Sequence, residues 1–484
     1  MFLKKDYILV LSFVVLLNLA GAPFNVGLLR FVALIPLILI FRQGYSFKKE
    51  SFLVLSSGLL YLLWQYNSIL HLAPLDWLGI NSIFLSYVIV VVLWLIFSSF
   101  LTLSFIPLLL SRYSLYVLPF VWLVAEYSRS WLYSLIVWGD SSSLGDHFSF
   151  GFLGYTTSTS ESLLALAPTL GVYGLSFFVA AINIFIVILL TKKSIKTYSV
   201  FFALIIILIA SEFFLLVPKK EVVGTQEVRV AAIQSRNPVQ FAYSDEYYSQ
   251  ARANSERAIQ DILQKYPDTS VIVLSENSQL IRTIQEEDNV SEQEAKEYLL
   301  GTDTERLLIE GVYDPVRNVS LSRFYSNKAP TVEIEKGLLM PIGEYQPYVF
   351  RIGAQLLGRG EWFRDLEVQK GTNSVQSEFK TVQTHAGNIS AVACSEILSF
   401  PIYDQIEEEN PDFIVHQQRL AHFHNKSKVF EQILAVSQLR AAITGKYIIG
   451  SVDSSGYSHI IGPDGKILEI GDEDTQYVTG VLSI

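Results

Sequence analysis

The chain has 484 residues, 51% of them hydrophobic and only 17% charged, with a mean hydropathy of +0.36. That is too apolar for an ordinary soluble protein, and a net charge of −10 gives no reason to expect nucleic-acid binding. A single cysteine excludes an internal disulfide, so cysteine usage says nothing about the redox compartment.

The apolar character is uneven. Residues 1–217 hold 11 Lys/Arg and 8 Asp/Glu, which leaves 25 of the 36 basic and 38 of the 46 acidic residues to 218–484. The expectation is a transmembrane helical domain over 1–217 and an acidic globular domain over 218–484. Seven apolar segments follow one another at 7–21, 23–41, 52–72, 84–110, 115–138, 163–190 and 199–217. Most reach the roughly 20 residues that a bilayer-crossing helix needs. The first, flanked by Lys4, Lys5 and "AGA", has the look of a signal peptide, but the spans after it favour a retained helix. With the N-terminus in the cytoplasm, the inner loops carry Lys4, Lys5, Arg42, Lys48, Lys49, Arg112, Lys192, Lys193 and Lys196. The outer loops, 73–82 and 139–162, carry neither Lys nor Arg. This is the positive-inside pattern, and seven spans then put residues 218–484 outside the cytoplasm.

Ionisable residues inside these segments are costly and face protein or water. Glu126 and Arg129, one turn apart in "VWLVAEYSRSWLYS", are positioned to pair. Two readings stay open for them: a buried pair that pins helix packing, or part of a substrate pathway. Arg30 is read as snorkelling outward or meeting a lipid headgroup. Trp64, Trp94, Trp122, Trp131 and Trp138 suit interfacial anchoring and core packing.

The second half alternates strands with helices. Strands are predicted at 228–234, 270–277, 307–314, 319–326, around 389–393, at 411–418 and repeatedly over 447–471, with helices over 244–265 and 426–444. This is an α/β domain, without a phosphate-binding glycine loop. The charge run at 407–412 reads as a solvated turn. His416, His422 and His424 match no standard zinc spacing, so no metal and no diffusible cofactor is expected.

The lone cysteine sits in "ISAVACSEILSF", at the end of an apolar strand and beside Glu396. It is either a small buried hydrophobe or a nucleophile, which would need a base and an oxyanion stabiliser. Glu276 and Lys336 also lie at or just beyond strands, and active residues of α/β folds collect at strand carboxyl ends. A Glu would serve as general base, and a Lys ammonium would favour thiolate and oxyanion.

Several pieces, in order, resemble a known family: "VWLVAEYSRSWLYS", "LAPTLGVYGLSF", "VRVAAIQSRNPVQF", "VIVLSEN", "EKGLLMPIGEYQPY", "AVACSEI" and "IIGPDGKI". The second half resembles the nitrilase, or carbon–nitrogen hydrolase, superfamily, and the whole chain resembles its membrane-integral branch, the apolipoprotein N-acyltransferases. The resemblance implies about seven spans joined to an αββα sandwich, with Glu276 as base, Lys336 as oxyanion and thiolate stabiliser and Cys394 as nucleophile. Glu344 and Glu396 match further acidic positions that support the site. It implies a bacterial inner-membrane enzyme with its catalytic domain on the extracytoplasmic face. Such an enzyme moves an acyl chain from a phospholipid, through a Cys394 thioester, to the N-terminal amine of a diacylglyceryl-cysteine lipoprotein. Rival readings are a membrane-anchored amidase that uses water, and a non-catalytic lipid- or lipoprotein-binding homologue. The sequence departs from the family at "HQQRLAHFH" (416–424), which lacks the expected Trp, and at Ser395, where a Tyr is common. The family's closing C-terminal helix would begin about where "YVTGVLSI" ends the sequence.

Overall fold

The computed structural model describes residues 2–191, 199, 226–235, 245–356, 358–370, 381–424 and 428–484. The first half is helical: α1 (Phe2–Ala20), α2 (Ile35–Phe41), α3 (Phe47–Gln65), α4 (Ile83–Leu101), α5 (Leu118–Ile136), the short α6 (Glu161–Leu164) and α7 (Ala167–Thr191). Pro119 stands in the first turn of α5, where its missing N–H costs nothing. Within α7, Gly171 breaks the helical backbone at φ 60° and ψ −176°, a conformation that favours glycine.

Among the described residues, three helical stretches are long and apolar enough to cross a membrane: Phe47–Leu72, Ile83–Arg112 and Ala167–Thr191. The others of the expected seven fall short for identifiable reasons. The α1 helix carries Lys4, Lys5 and Asp6. The stretch Gly27–Phe41 is too short to span roughly 30 Å at about 1.5 Å per residue. The α5 helix interrupts its apolar run with Glu126, Arg129 and serines. The seventh segment and the boundary at 217/218 lie outside the described residues, Ser199 apart.

Arg30 meets neither expectation. It is fully buried, with Nε donating to Gly27 O at 2.5 Å and Nη2 to Thr159 Oγ1 at 3.2 Å. The protein itself supplies acceptors, so the guanidinium need not reach for water or lipid.

Among the described residues, the second half contains two six-stranded sheets. The first has the order β12-β1-β2-β3-β4-β5, with β1 Glu227–Ile233, β2 Thr269–Val273, β3 Leu307–Asp314, β4 Val319–Ser326, β5 Val332–Glu335 and β12 Tyr477–Ser483. The second has the order β11-β10-β9-β8-β7-β6, with β6 Val382–Thr384, β7 Gly387–Ala393, β8 Phe413–Arg419, β9 Tyr447–Asp453, β10 His459–Ile461 and β11 Ile467–Ile470. Each is parallel at its centre and antiparallel at its flanks.

Strand alternation builds four layers. Val228, Val230 and Ala232 of β1 point inward to meet Ile389 and Ala391 of β7 and Phe413 and Val415 of β8 in one core. Ala231 and Ile233 point outward and pack with helices α8 (Asp245–Lys265), α9 (Leu280–Asp288) and α10 (Glu292–Leu300). Two helices, α11 (Tyr348–Leu356) and α12 (Gly360–Lys370), lie between β5 and β6, and Val392, Ile414 and Ile448 face the other way, toward α13 (Phe400–Glu409) and α14 (Val429–Thr444). The result is the expected αββα sandwich. That outer core runs on into α1, α3, α5 and α7, so the two halves share buried surface.

Candidate active site

Three chain segments converge at the carboxyl ends of β2, β5 and β7. Glu276 follows β2, Lys336 follows β5, and Cys394 follows β7. Gly311 of β3 holds the first in place. A Cβ there would lie 2.6 Å from Glu276 Cα and 3.0 Å from Asn277 N, so only glycine permits this approach. The buried Glu310 beside it accepts from Leu280 N at 2.8 Å and Ser278 Oγ at 2.9 Å, capping the start of α9.

The buried Lys336 Nζ lies between two carboxylates, 2.7 Å from Glu276 Oε1 and 2.8 Å from Glu344 Oε2. Glu344 is itself held by Met340 N at 2.6 Å and Ser320 Oγ at 3.0 Å. Burial pulls the Lys336 pKa down, but Glu276 and Glu344 outweigh it and hold it well above the ordinary lysine value. Burial raises the Glu276 pKa against the opposing pull of Lys336. The ammonium is therefore fixed, and the carboxyl beside it is a better base than a free glutamate.

Cys394 begins a five-residue 3₁₀ turn, Cys394–Leu398, with φ +48°. A non-glycine residue in the left-handed region costs about 1–3 kcal/mol and persists only where its surroundings hold it. His416 Nε2 donates to Cys394 O at 3.0 Å, and Sγ sits 4.0 Å from Arg419 O. Burial, with Glu276 adding to it and Lys336 opposing, pushes the thiol up to about 12. The resting group is a thiol, so attack requires a base.

Glu396 ties the turn to the lysine loop. Its Oε2 accepts from Ala393 N at 2.6 Å, and its Oε1 from Gly337 N at 2.7 Å and Leu338 N at 3.2 Å. Burial raises its pKa to about 7. Glu276, Lys336, Cys394, Glu344 and Glu396 thus lie together. A shallow, narrow recess opens beside them, lined by Ser395, Leu338, Leu339 and Tyr345 from the second half and by Tyr133 and His147 from the helical half.

Glu126 and Arg129 lie in the helical half and are not paired with each other. Glu126 Oε1 accepts from Leu153 N at 2.6 Å and Trp122 Nε1 at 3.0 Å, and Arg129 Nη2 donates to Gly151 O at 2.9 Å. Both turn toward the 145–153 loop, whose backbone competes successfully for them. The three histidines do not gather as ligands: His416 serves the Cys394 carbonyl, and His422 sets its ring against Trp77.

Sequence reasoning passed over Ser320, His416 in its supporting role, and Gln417. Gln417 joins the sheets, accepting from Ser322 Oγ and donating to Leu274 O, each at 2.7 Å. The only signal was a run of polar residues in a strand that would otherwise be apolar.

Residues 14–185 match the family model described as the apolipoprotein N-acyltransferase N-terminal domain. The chain is 23% identical over 393 residues to the apolipoprotein N-acyltransferase of Rickettsia typhi, covering 77% of this chain and 71% of that one. It is 24% identical over 394 residues to the protein of the same name in Rickettsia prowazekii, with the same coverage. Among solved structures, Saccharomyces cerevisiae Nit3, a member of branch 10 of the nitrilase superfamily, is 13% identical, with a TM-score of 0.38 over 55% of this chain and 93% of its own. The resemblance to apolipoprotein N-acyltransferases read from the sequence is shown by these matches.

Proposed function

Taking that likeness to the apolipoprotein N-acyltransferases as premise, we propose that this chain is an N-acyltransferase of the bacterial inner membrane, with its αββα domain on the extracytoplasmic face. Its donor is a phospholipid, and its acceptor is the free α-amine of a diacylglyceryl-cysteine lipoprotein. The observation that carries the chemistry is the Lys336 ammonium held between Glu276 and Glu344 beside a thiol in a strained turn.

In the first half-reaction Glu276 takes the Cys394 proton, and the thiolate attacks the ester carbonyl. Lys336 stabilises the resulting oxyanion. The C–O bond breaks, the departing alkoxide takes the proton back from Glu276, and lysophospholipid leaves an acyl thioester on Cys394. In the second half-reaction the lipoprotein amine attacks the thioester. Glu276 accepts the amine proton, the C–S bond breaks to give an amide, and the proton returns to Cys394. Charge cycles while Lys336 stays protonated.

Membrane attachment is supported by the apolar surface of α4, where Ile83, Phe84, Leu85, Val88, Val92 and Ile96 are all exposed. The helical half would hold both lipidated substrates at the height of the thiol, so that neither acyl chain crosses water.

Mass spectrometry of the protein purified from membranes tests the reading. An acyl adduct on Cys394 is expected, lost in Cys394→Ser and discharged by a diacylglyceryl-cysteine peptide to yield the N-acyl peptide. Discharge to free fatty acid alone would make the protein an amidase-type hydrolase. No adduct, with Cys394→Ser as active as wild type, would remove Cys394 from the chemistry.

A further inference from the structure

The loop between α5 and α6 plays no part in the chemistry above, yet it is bonded along both edges. A 3₁₀ turn leaves its last carbonyls without partners inside the turn, and buried carbonyls must find donors elsewhere. In Cys394–Leu398, Ile397 O takes Arg440 Nε at 3.3 Å, while Leu398 O takes Ser149 N at 3.3 Å and Ser149 Oγ at 2.8 Å. Phe400 N, one residue past the N-cap of α13, donates to Asp146 O at 3.0 Å. Ser399, that N-cap, meets His147 Nδ1 through its hydroxyl at 3.0 Å, and the other ring nitrogen meets Ser143 Oγ at 2.9 Å. Burial lowers the His147 pKa, so the ring is neutral and bridges two hydroxyls.

The loop's opposite edge is held by one stripe of α5. Ser134 Oγ accepts from Gly145 N at 3.2 Å, Ser130 Oγ from Phe148 N at 2.9 Å, and Glu126 Oε1 from Leu153 N at 2.6 Å, while Arg129 donates to Gly151 O at 2.9 Å. Residues 126, 129, 130 and 134 share a helical face. Loops ordinarily run over a surface; in this one Ser149 is fully buried and receives a further bond from Tyr155 OH at 2.7 Å.

We propose that residues 145–149 are a bracket between α5 and the nucleophile turn, in which His147 and Ser149 are positioning residues that hold Cys394 in register with the helical half. The inference rests on the reading of Cys394 as nucleophile. Ser130 and Ser134 anchor the bracket on α5, and Glu126 and Arg129 fix the chain just beyond it, at Leu153 and Gly151. The bracket also braces, at its far end, the turn that the left-handed Cys394 opens.

The test uses the full chain in lipid nanodiscs, with kcat and KM for acyl transfer and the rate of Cys394 alkylation by iodoacetamide at fixed pH. His147→Ala and Ser399→Ala are each expected to lower kcat on the order of 10- to 100-fold with little change in KM, the size that small misplacement of a reacting group produces. The alkylation rate is expected to change with them. The double variant should lose clearly less than the product of the two single losses, because both remove the His147–Ser399 contact, although His147→Ala also loses Ser143 and Ser399→Ala also loses the N-cap bond from Ile402 N. His147→Asn, whose amide stands where Nδ1 stood, should recover most of the loss. If His147→Ala does not fold, Ser149→Ala, which keeps the backbone bond to Leu398, should show the same loss in smaller degree. Unchanged kcat and alkylation in these variants, while Cys394→Ser is inactive, would overturn the bracket and leave the nucleophile standing. Multiplicative losses in the double variant would also overturn it. Near wild-type turnover in Cys394→Ser would instead overturn the nucleophile reading.

Discussion

The Lys336 side chain carries a net electrostatic decision. Its ammonium faces two carboxylates at 2.7 and 2.8 Å, one of them anchored by Ser320 and Met340 and the other free to exchange a proton. In the proposed reaction this asymmetry suits Glu344 to holding the lysine and Glu276 to moving the proton. Lys336 is also the cation that opposes the rise of the Cys394 pKa. Removing it in Lys336→Met leaves burial and two carboxylates acting on the thiol, so its alkylation profile should move to higher pH. Loss of one oxyanion donor should lower kcat on the order of 100- to 1,000-fold. An unchanged alkylation profile would place the lysine out of reach of the sulfur.

At the scale of elements, β3 sets the position of the Glu276 segment through its backbone at Gly311, beside the carboxylate of Glu310. Ser278 N donates to Gly311 O at 2.9 Å, and Gly311 N to Ser275 O at 3.4 Å. Because a Gly311→Ala methyl group would meet backbone atoms, which cannot turn away, the strand end must shift. Overpacking of this kind costs about 1–3 kcal/mol. Gly311→Ala should therefore lower the melting temperature and reduce acyl transfer, whereas Gly353→Ala, inside the helix Tyr348–Leu356 and with no atom outside that helix's backbone within 4 Å of the added carbon, should hold or raise the melting temperature and leave acyl transfer unchanged. Equal behaviour of the two variants would contradict the close approach. Glu396 works at the same scale, joining β7, its turn and the lysine loop with one carboxylate.

At the scale of the whole molecule, the mechanism requires the αββα domain on the face where lipid and lipoprotein are presented. The distribution of Lys and Arg over the first half predicts the extracytoplasmic side. A reporter active only outside the cytoplasm should be active when fused after Ile484 and silent when placed in the 191–197 segment. The reverse result would leave a cytoplasm-facing amidase as the better account. Three stretches rather than seven meet the length and apolarity of a span among the described residues, and this experiment counts crossings by parity without depending on that number.

Local features were legible in the sequence because they repeat along it. Short β-rich runs around the turn at "DPVRN" set β3 and β4 at 307–314 and 319–326, as predicted, and a buried apolar run placed Cys394 at a strand end. Composition alone divided the apolar half from the acidic one. The lysine between two carboxylates drew on residues 60 and 8 positions apart in the chain, and only the motif resemblance brought them together beforehand. Nothing local announced that Ser149 would reach Leu398, 249 residues away, or that Arg30 would be enclosed. Nor did anything local announce that Glu126 and Arg129 would prefer loop backbone to each other. Hydrophobic periodicity is a property of neighbouring residues and survives in one dimension. The choice of a partner for a buried polar group depends on which donors and acceptors packing brings within about 3 Å, and that exists only once the chain has folded.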